Sequence, residues 1–230
     1  MTRRFLWAVP RSLSTAFERW VIERGDHHVI DEPFSAVYYL GPERVSPRYD
    51  EREPGATAAA TLADVLAAPL PCFVKDMVHH VPVELRADLA AAGSHTLLVR
   101  DPARAIPSFA RVWPDVTWEE CGYEALAGFA EQLDADRRPY DVVDAEDLGR
   151  DPEATLRSWS QRQALGFDPA TLAWESGPVP QWTRWSEFHT STIASTGLSS
   201  RGPAPLPTID DPRIAGFVER ATPLYERLRR

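Results

Sequence analysis

The chain has 230 residues, of which 43% are hydrophobic and 26% charged, with a formal net charge of −9 and a pI near 5.2. That length suits one domain burying roughly 70–75% of its unfolded surface, and the composition excludes a disordered chain. The acidic charge argues against a nucleic-acid partner, and no apolar run approaches the ~18 residues of a membrane helix.

Short apolar runs alternate with amphipathic stretches along most of the chain. Residues 4–9 read as a first strand and 14–24 as the helix that follows. A second strand over 28–32 is stopped by Pro33, and residues 42–55, rich in Pro, Arg and Glu, read as a mobile surface loop or lid. Residues 72–77 and 95–100 are further strands, with helical patterns over 83–92, 103–112 and 118–137. Residues 140–144 make a fifth strand, and Pro152 opens a helix to about residue 165. The stretch 175–207, rich in Pro, Gly and Trp, is expected to fold back over the domain, and 210–230 forms a final amphipathic helix. Strands that are apolar throughout, each followed by a helix, predict a three-layer doubly wound parallel α/β sheet of about five strands. One domain over 1–230 is expected.

The N-terminal Arg3-Arg4-Phe5-Leu6-Trp7 begins like a signal peptide, but Pro10-Arg11-Ser12 ends the run too early. Cys72 and Cys121 form neither a disulfide framework nor a metal-ligand spacing, so a reducing cytoplasm is expected. Among 25 Lys plus Arg only Lys75 is a lysine, and asparagine is absent. A GC-rich coding background accounts for the bias. Against it, a surviving lysine is a candidate for work that needs a compact ammonium.

In an open α/β sheet, ligands bind where strands end and helices begin. The first such turn is Val9-Pro10-Arg11-Ser12-Leu13-Ser14-Thr15. It offers a guanidinium, three hydroxyls and the amide groups of a helix N-terminus, a combination that suits an anion. By residue type alone, Ser12, Ser14 and Thr15 read first as ordinary helix caps. The turn lacks the two glycines and the lysine of G-x-x-x-x-G-K-[ST]. Pro-Arg-Ser-x-Ser-Thr after a first strand resembles the 5′-phosphosulfate loop of the sulfotransferases. Leu13 stands where many members have glycine, which implies a loop slightly more open or differently turned. A second, independent match is Arg100 at a strand end with Ser108 eight residues on. It resembles the family's 3′-phosphate motif, in which an arginine fork and a directed hydroxyl hold one phosphate. The likeness extends more loosely through Lys75-Asp76-Met77-Val78-His79-His80 and Ser195-Thr196-Gly197-Leu198.

The resemblance implies a P-loop-like nucleotide-binding fold and a cytoplasmic sulfotransferase. Its donor would be 3′-phosphoadenosine 5′-phosphosulfate (PAPS), its nucleotide product PAP, and it would need no metal. The acceptor would be a hydroxyl of a small molecule, attacked in line with the leaving phosphate. Donor contacts are then expected from Arg11, Ser12, Leu13, Ser14, Thr15, Arg100 and Ser108. Thr196 and Arg201 stand for the late elements of the family's chain, although its fuller Arg-Lys-Gly pattern is absent. Arg11 and Lys75 are expected to stabilise charge on the leaving oxygen. For the base, Glu32 ends the second strand at the same rim as Arg11, and His79 or His80 competes with it. A histidine has the better unperturbed pKa, whereas a carboxylate must be raised to match it. Strand-end placement favours Glu32. His27, His28, His95 and His189 read as structural or exposed, and Trp113, Trp118, Trp182 and Trp185 are candidates for an acceptor cleft. Two other classes compete: an ATP-dependent small-molecule kinase, and a catalytically silent nucleotide-binding or interaction protein. The acidic charge favours a neutral or cationic acceptor over a polyanionic glycan.

Overall fold

In the computed structural model, which describes residues 2–202 and 205–230, the apolar runs form one parallel sheet. Pro203 and Ala204 of the 175–207 stretch, and Met1, lie outside the described residues. The elements in chain order are β1 (Arg3–Ala8), α1 (Ser14–Arg24), β2 (His28–Asp31), α2 (Ser35–Tyr39), α3 (Ala58–Ala67) and β3 (Cys72–Asp76). They continue with α4 (Arg86–Ala91), β4 (Ser94–Val99), α5 (Pro102–Ala110), α6 (Tyr123–Ala135) and β5 (Tyr140–Asp144). The chain ends through α7 (Ala145–Arg150), α8 (Pro152–Arg162), α9 (Ser186–Ile193) and α10 (Pro212–Leu228).

The strand order is β2-β3-β1-β4-β5, and every pairing is parallel. Alternation along β1 explains the three layers. Phe5, Trp7 and Val9 join the core beneath α5, α6 and α10, whereas Leu6 and Ala8 join the core beneath α1 and α8. On the second face Phe17, Trp20 and Trp159 meet edge to face. Trp20 is fully buried, and truncating it to alanine would cost about 3–5 kcal/mol. The buried indoles keep their polar atoms satisfied: Trp7 Nε1 donates to His95 Nδ1 at 3.1 Å, and Trp159 Nε1 to Thr96 Oγ1 at 2.9 Å.

Three helices begin in the same way. Asp101, Asp151 and Asp211 each stand before a proline, and each side chain accepts an N–H of the first turn, from Ala103, Ala154 and Arg213. The proline needs no N–H at that position and its φ is already helical. Other expectations shift. The helix over 83–92 starts as a 3-10 turn, Val83–Leu85, before α4. The helix over 118–137 is broken at Gly122, whose φ of 78° no longer propagates a helix, so a short turn, Glu119–Cys121, precedes α6. Helices α2, α3, α7 and α9 were not expected. The 42–55 loop is tied down: Arg48 bonds Glu120 and Asp115, and Arg184 bonds Glu53. No helix among the described residues is long and apolar enough to cross a membrane.

Candidate active site

A cleft of about 800 Å³ opens at the C-terminal ends of β1, β3 and β4, where the strand order reverses about β1. Its polar side is the turn from Pro10 to Ala16. The capping expectation fails here. The residue before α1 is Leu13, no side chain caps the helix, and Ser12 turns its hydroxyl back to the Val9 carbonyl at 2.7 Å. The first amides of α1 therefore face the cleft without a side-chain acceptor, as an anion site requires. Arg11 and Leu13 both adopt left-handed backbone, with φ of 63° and 66°. The leucine thus takes a conformation that a glycine would take freely. Glu32 (φ 42°) and Trp185 (φ 55°) also line the cleft, which gathers strained backbone about one site.

The two motifs that are far apart in sequence meet. Arg11 Nε donates to Ser108 Oγ at 3.2 Å, and Arg100 Nη1 donates to the Arg11 carbonyl at 2.5 Å. Tyr123 Oη fixes the Arg100 backbone, donating to its carbonyl at 2.7 Å. Burial, with Arg100 and Arg111 nearby, lowers the pKa of Arg11. The guanidinium remains charged, so like charges are held together where an anion would relieve them. Glu146 is the internal counter-charge, 3.1 Å from Arg100 and 3.4 Å from Arg104. No sequence signal had marked it.

Beneath Glu32 lies a buried charge cluster. Lys75 Nζ, at 0% exposure, is 2.5 Å from Asp31, 2.6 Å from Glu32 and 3.8 Å from Glu18. Lys75 therefore pairs with neither Asp76 nor solvent, and it does not line the cleft. Burial alone would lower its pKa, but the three carboxylates hold it well above the usual lysine value. Burial would likewise raise the Glu32 carboxyl, but the Lys75 ammonium and His80 bring it below its ordinary value. Asp31 is pushed well up by burial and by Glu18. His189, expected to be structural or exposed, joins the cluster 3.7 Å from Asp31, and burial with Lys75 lowers its pKa to about 4. Asp31, Glu32 and His189 bring ligand atoms within 4.8 Å of one another, but the ammonium already lies against both carboxylates.

Histidines form the opposite wall. His80 Nδ1 is 2.7 Å from Asp76 Oδ1, and Asp76 is itself fixed by the amides of Met77 and Phe34. This base-and-orienter pair leaves His80 Nε2 unclaimed among the described residues. The spacing Asp76-x-x-x-His80 was visible in the sequence, but nothing local marked Asp76 as the residue that orients a histidine. His79 is buried with both ring nitrogens unpartnered, and burial together with His80 and Arg86 holds its pKa well below the usual histidine value. Gly122 permits this: a Cβ there would lie 3.1 Å from His79 Nδ1.

The remaining wall is aromatic, made by Tyr39, Phe109, Trp113, Trp185 and Phe188, with Ser191 and Thr192 at its edge. Of the four tryptophans proposed from the sequence, Trp113 and Trp185 line the cleft. Trp118 instead donates to Glu124, and Trp182 donates to Glu18 at 2.8 Å and stacks on His189. Thr196 and Arg201 stand outside the cleft; Arg201 N–H bonds the Gly149 carbonyl, next to the Leu13 side chain.

Comparison with known proteins agrees with this geometry. The sulfotransferase-domain family model matches residues 2–230. Two Arabidopsis thaliana proteins, branched-chain-amino-acid aminotransferase-like proteins 2 and 1, are each 31% identical over 97% of the chain. The chain spans only 40% and 41% of their lengths. Among solved structures, the sulfotransferase domain of the Synechococcus PCC 7002 olefin synthase superposes with a TM-score of 0.54 at 19% identity, covering 94% of this chain and 93% of that one. The sulfotransferase domain of the curacin biosynthetic pathway gives 0.54 at 14% identity, covering 95% and 96%. These structures share the fold, and with the family match over nearly its whole length the chain belongs to the sulfotransferase-domain family.

Proposed function

We propose that the protein transfers a sulfuryl group from PAPS to a hydroxyl of a small-molecule acceptor, releasing PAP. The observation that carries this reading is the Arg11–Ser108 hydrogen bond, which joins the two candidate phosphate-binding motifs, 97 residues apart, at the C-terminal rim of the sheet. Amides of the α1 start, with Ser14 and Thr15, would hold the 5′-phosphosulfate, and Arg100 the 3′-phosphate. Arg11 would balance charge developing on the leaving oxygen. The acceptor oxygen bonds to sulfur as the bond from sulfur to the phosphate oxygen breaks. Its proton goes to a base, and the apolar wall of Trp113, Trp185 and Phe188 seats the acceptor body.

We assign that base to His80, oriented by Asp76, with His79 beside it. Glu32, held ionised by Lys75, is the weaker proton acceptor and acts through its charge. Lys75 then positions Glu32 and does not touch the donor. The aminotransferase-like name of the relatives is not carried over. Such chemistry needs a lysine amine free to form a Schiff base, and Lys75 is held charged by three carboxylates.

The test measures PAPS-dependent turnover and donor affinity in His80→Asn, His79→Asn and Glu32→Gln. His80→Asn is expected to lower turnover roughly 10²–10⁴-fold with little change in donor affinity. Turnover lost in Glu32→Gln and kept within a few-fold in His80→Asn would return the base to Glu32. Absence of any PAPS-dependent transfer across a panel of hydroxyl acceptors, with no PAP binding, would overturn the reading as a whole.

A further inference from the structure

One carboxylate ties the end of β4 to the starts of α5 and α7. In the β4–β5 register Val99 lies opposite Asp144, so the residues just beyond, Arg100 and Glu146, emerge at the same rim. Arg104 lies in the first turn of α5, one turn before Ser108 on the same helix face. The Glu146 carboxylate serves both guanidiniums at once. Its Oε1 is 3.1 Å from Arg100 Nε and its Oε2 is 3.4 Å from Arg104 Nε. Asp101, also near, stands 4.0 Å from Arg104, and its Oδ1 already accepts the Ala103 N–H.

Three features make this carboxylate replaceable. All three side chains are partly exposed, so the ion pairs are screened and contribute little to the fold. The Glu146 backbone is fixed independently of its side chain: its N–H donates to Asp144 Oδ1 at 2.8 Å, and Tyr225 holds Asp144 Oδ2 at 2.7 Å. The side chain can therefore swing aside without moving α7. Nor is it needed to steer Arg100, whose Nη1 is already bound to the Arg11 carbonyl at 2.5 Å. Two oxygens set against two guanidiniums is also an arrangement that a phosphate reproduces, with a third oxygen and more negative charge. A phosphate brought to these arginines would lie beside the carboxylate, where like charges repel. The two anions compete for one place.

We propose that Glu146 competes with the donor's 3′-phosphate for Arg100 and Arg104, so that Arg104 reads this phosphate beside Arg100 and Glu146 limits how tightly it is held. The inference rests on the PAPS reading and adds two residues to it. PAP keeps the 3′-phosphate of PAPS, so a carboxylate that competes for the same cations eases the departure of product.

The experiment is calorimetric titration of the full chain at low salt with PAP and with adenosine 5′-phosphate, in wild type, Glu146→Gln and Arg104→Gln. Glu146→Gln should bind PAP about tenfold more tightly, with the gain shrinking as salt rises, and Arg104→Gln about tenfold more weakly. Adenosine 5′-phosphate lacks the 3′-phosphate, so its affinity should stay within about threefold across all three proteins. Both variants should keep the wild-type Tm, because the ion pairs they remove are partly exposed. A glutamate that merely braced Arg100 would, once replaced, loosen PAP. Loosened or unchanged PAP binding in Glu146→Gln would overturn the inference, as would unchanged PAP binding in Arg104→Gln. An equal gain for adenosine 5′-phosphate would also overturn it, by showing that the charge of Glu146 acts on the nucleotide as a whole. Each of these outcomes leaves PAP bound to the wild type and the PAPS reading intact; only failure of the wild type to bind PAP would remove both.

Discussion

Lys75 lies wholly buried with its ammonium within 2.6 Å of two carboxylates and 3.8 Å of a third, and each contact uses the small size of that group. A guanidinium needs a planar fork of space that the converging Asp31, Glu32 and Glu18 do not leave. Lys75→Arg is therefore expected to destabilise the protein despite keeping the charge, and Lys75→Met to cost about 3–5 kcal/mol near neutral pH. In Lys75→Met the stranded carboxylates take up protons in the folded state, so their folded pKa values rise above the unfolded ones. Stability is then fully present at acid pH and falls as pH rises, so the deficit should be smaller at pH 5 than at pH 8 in urea titrations. An equal deficit at both would show that packing, not charge, dominates. Leu13 carries the other residue-level cost. At φ 66° glycine is free of the Cβ clash and alanine is not, while both lose the leucine's packing against Gly149. Leu13→Gly should therefore be more stable than Leu13→Ala by about 1 kcal/mol; in an ordinary helical position the order is reversed.

Helix α9 joins the aromatic wall to the buried cluster, because Phe188 faces the cleft and His189 the carboxylates. The segment before it is anchored by Trp182 to Glu18 and by Arg19 to the carbonyls of Glu175 and Gly177. His189 enters the folded state neutral, facing Asp31, Glu32 and Lys75, with its pKa lowered to about 4 by burial and then by Lys75. Its folded pKa lies below the unfolded value, so its contribution is present above pH ~6.5 and is lost as pH falls towards 4. Between pH 7 and 5 the wild type should lose about 2 kcal/mol more than His189→Asn. Parallel stability curves for the two would show that His189 takes no part in acid unfolding. Helix α9 was hidden in the sequence by its setting. Eight residues among Pro178, Pro180 and Pro205 read as irregular chain, and its left-handed first cap, Trp185, carries no side-chain cap signal. The strands and α1 were legible because burial on both faces leaves unbroken apolar runs and Gly25 closes the helix. The Arg11–Thr15 turn and the Arg100–Ser108 pair, proposed to hold the donor's phosphates, were legible because each is local. Asp76, Glu146 and the Asp31–His189 contact were not, because they depend on which strand ends the sheet brings together.

At the scale of the molecule, the order β2-β3-β1-β4-β5 places β1 between β3 and β4 and so makes one rim from chain segments that are otherwise remote. The β1 turn supplies Arg11, β3 leads into His79 and His80, and β4 supplies Arg100. A ligand bridging the β1 and β4 ends ties the central strands together, so its binding is read as global stability. At a concentration ~100-fold above Kd, PAP should add about 2.7 kcal/mol, or about 5–10 °C in Tm for a chain of this size. In the proposed donor site Arg100→Ala would remove a charge-assisted phosphate contact worth about 1.5–3 kcal/mol, which at the same concentration should cut the shift to half or less. Adenosine 5′-phosphate lacks the 3′-phosphate, so the weaker shift it gives should be the same for wild type and Arg100→Ala. A kinase would show the opposite preference, with ATP raising Tm more than PAP. Equal losses for PAP and adenosine 5′-phosphate in Arg100→Ala would show that this arginine shapes the Arg11 turn through its carbonyl without reading the 3′-phosphate.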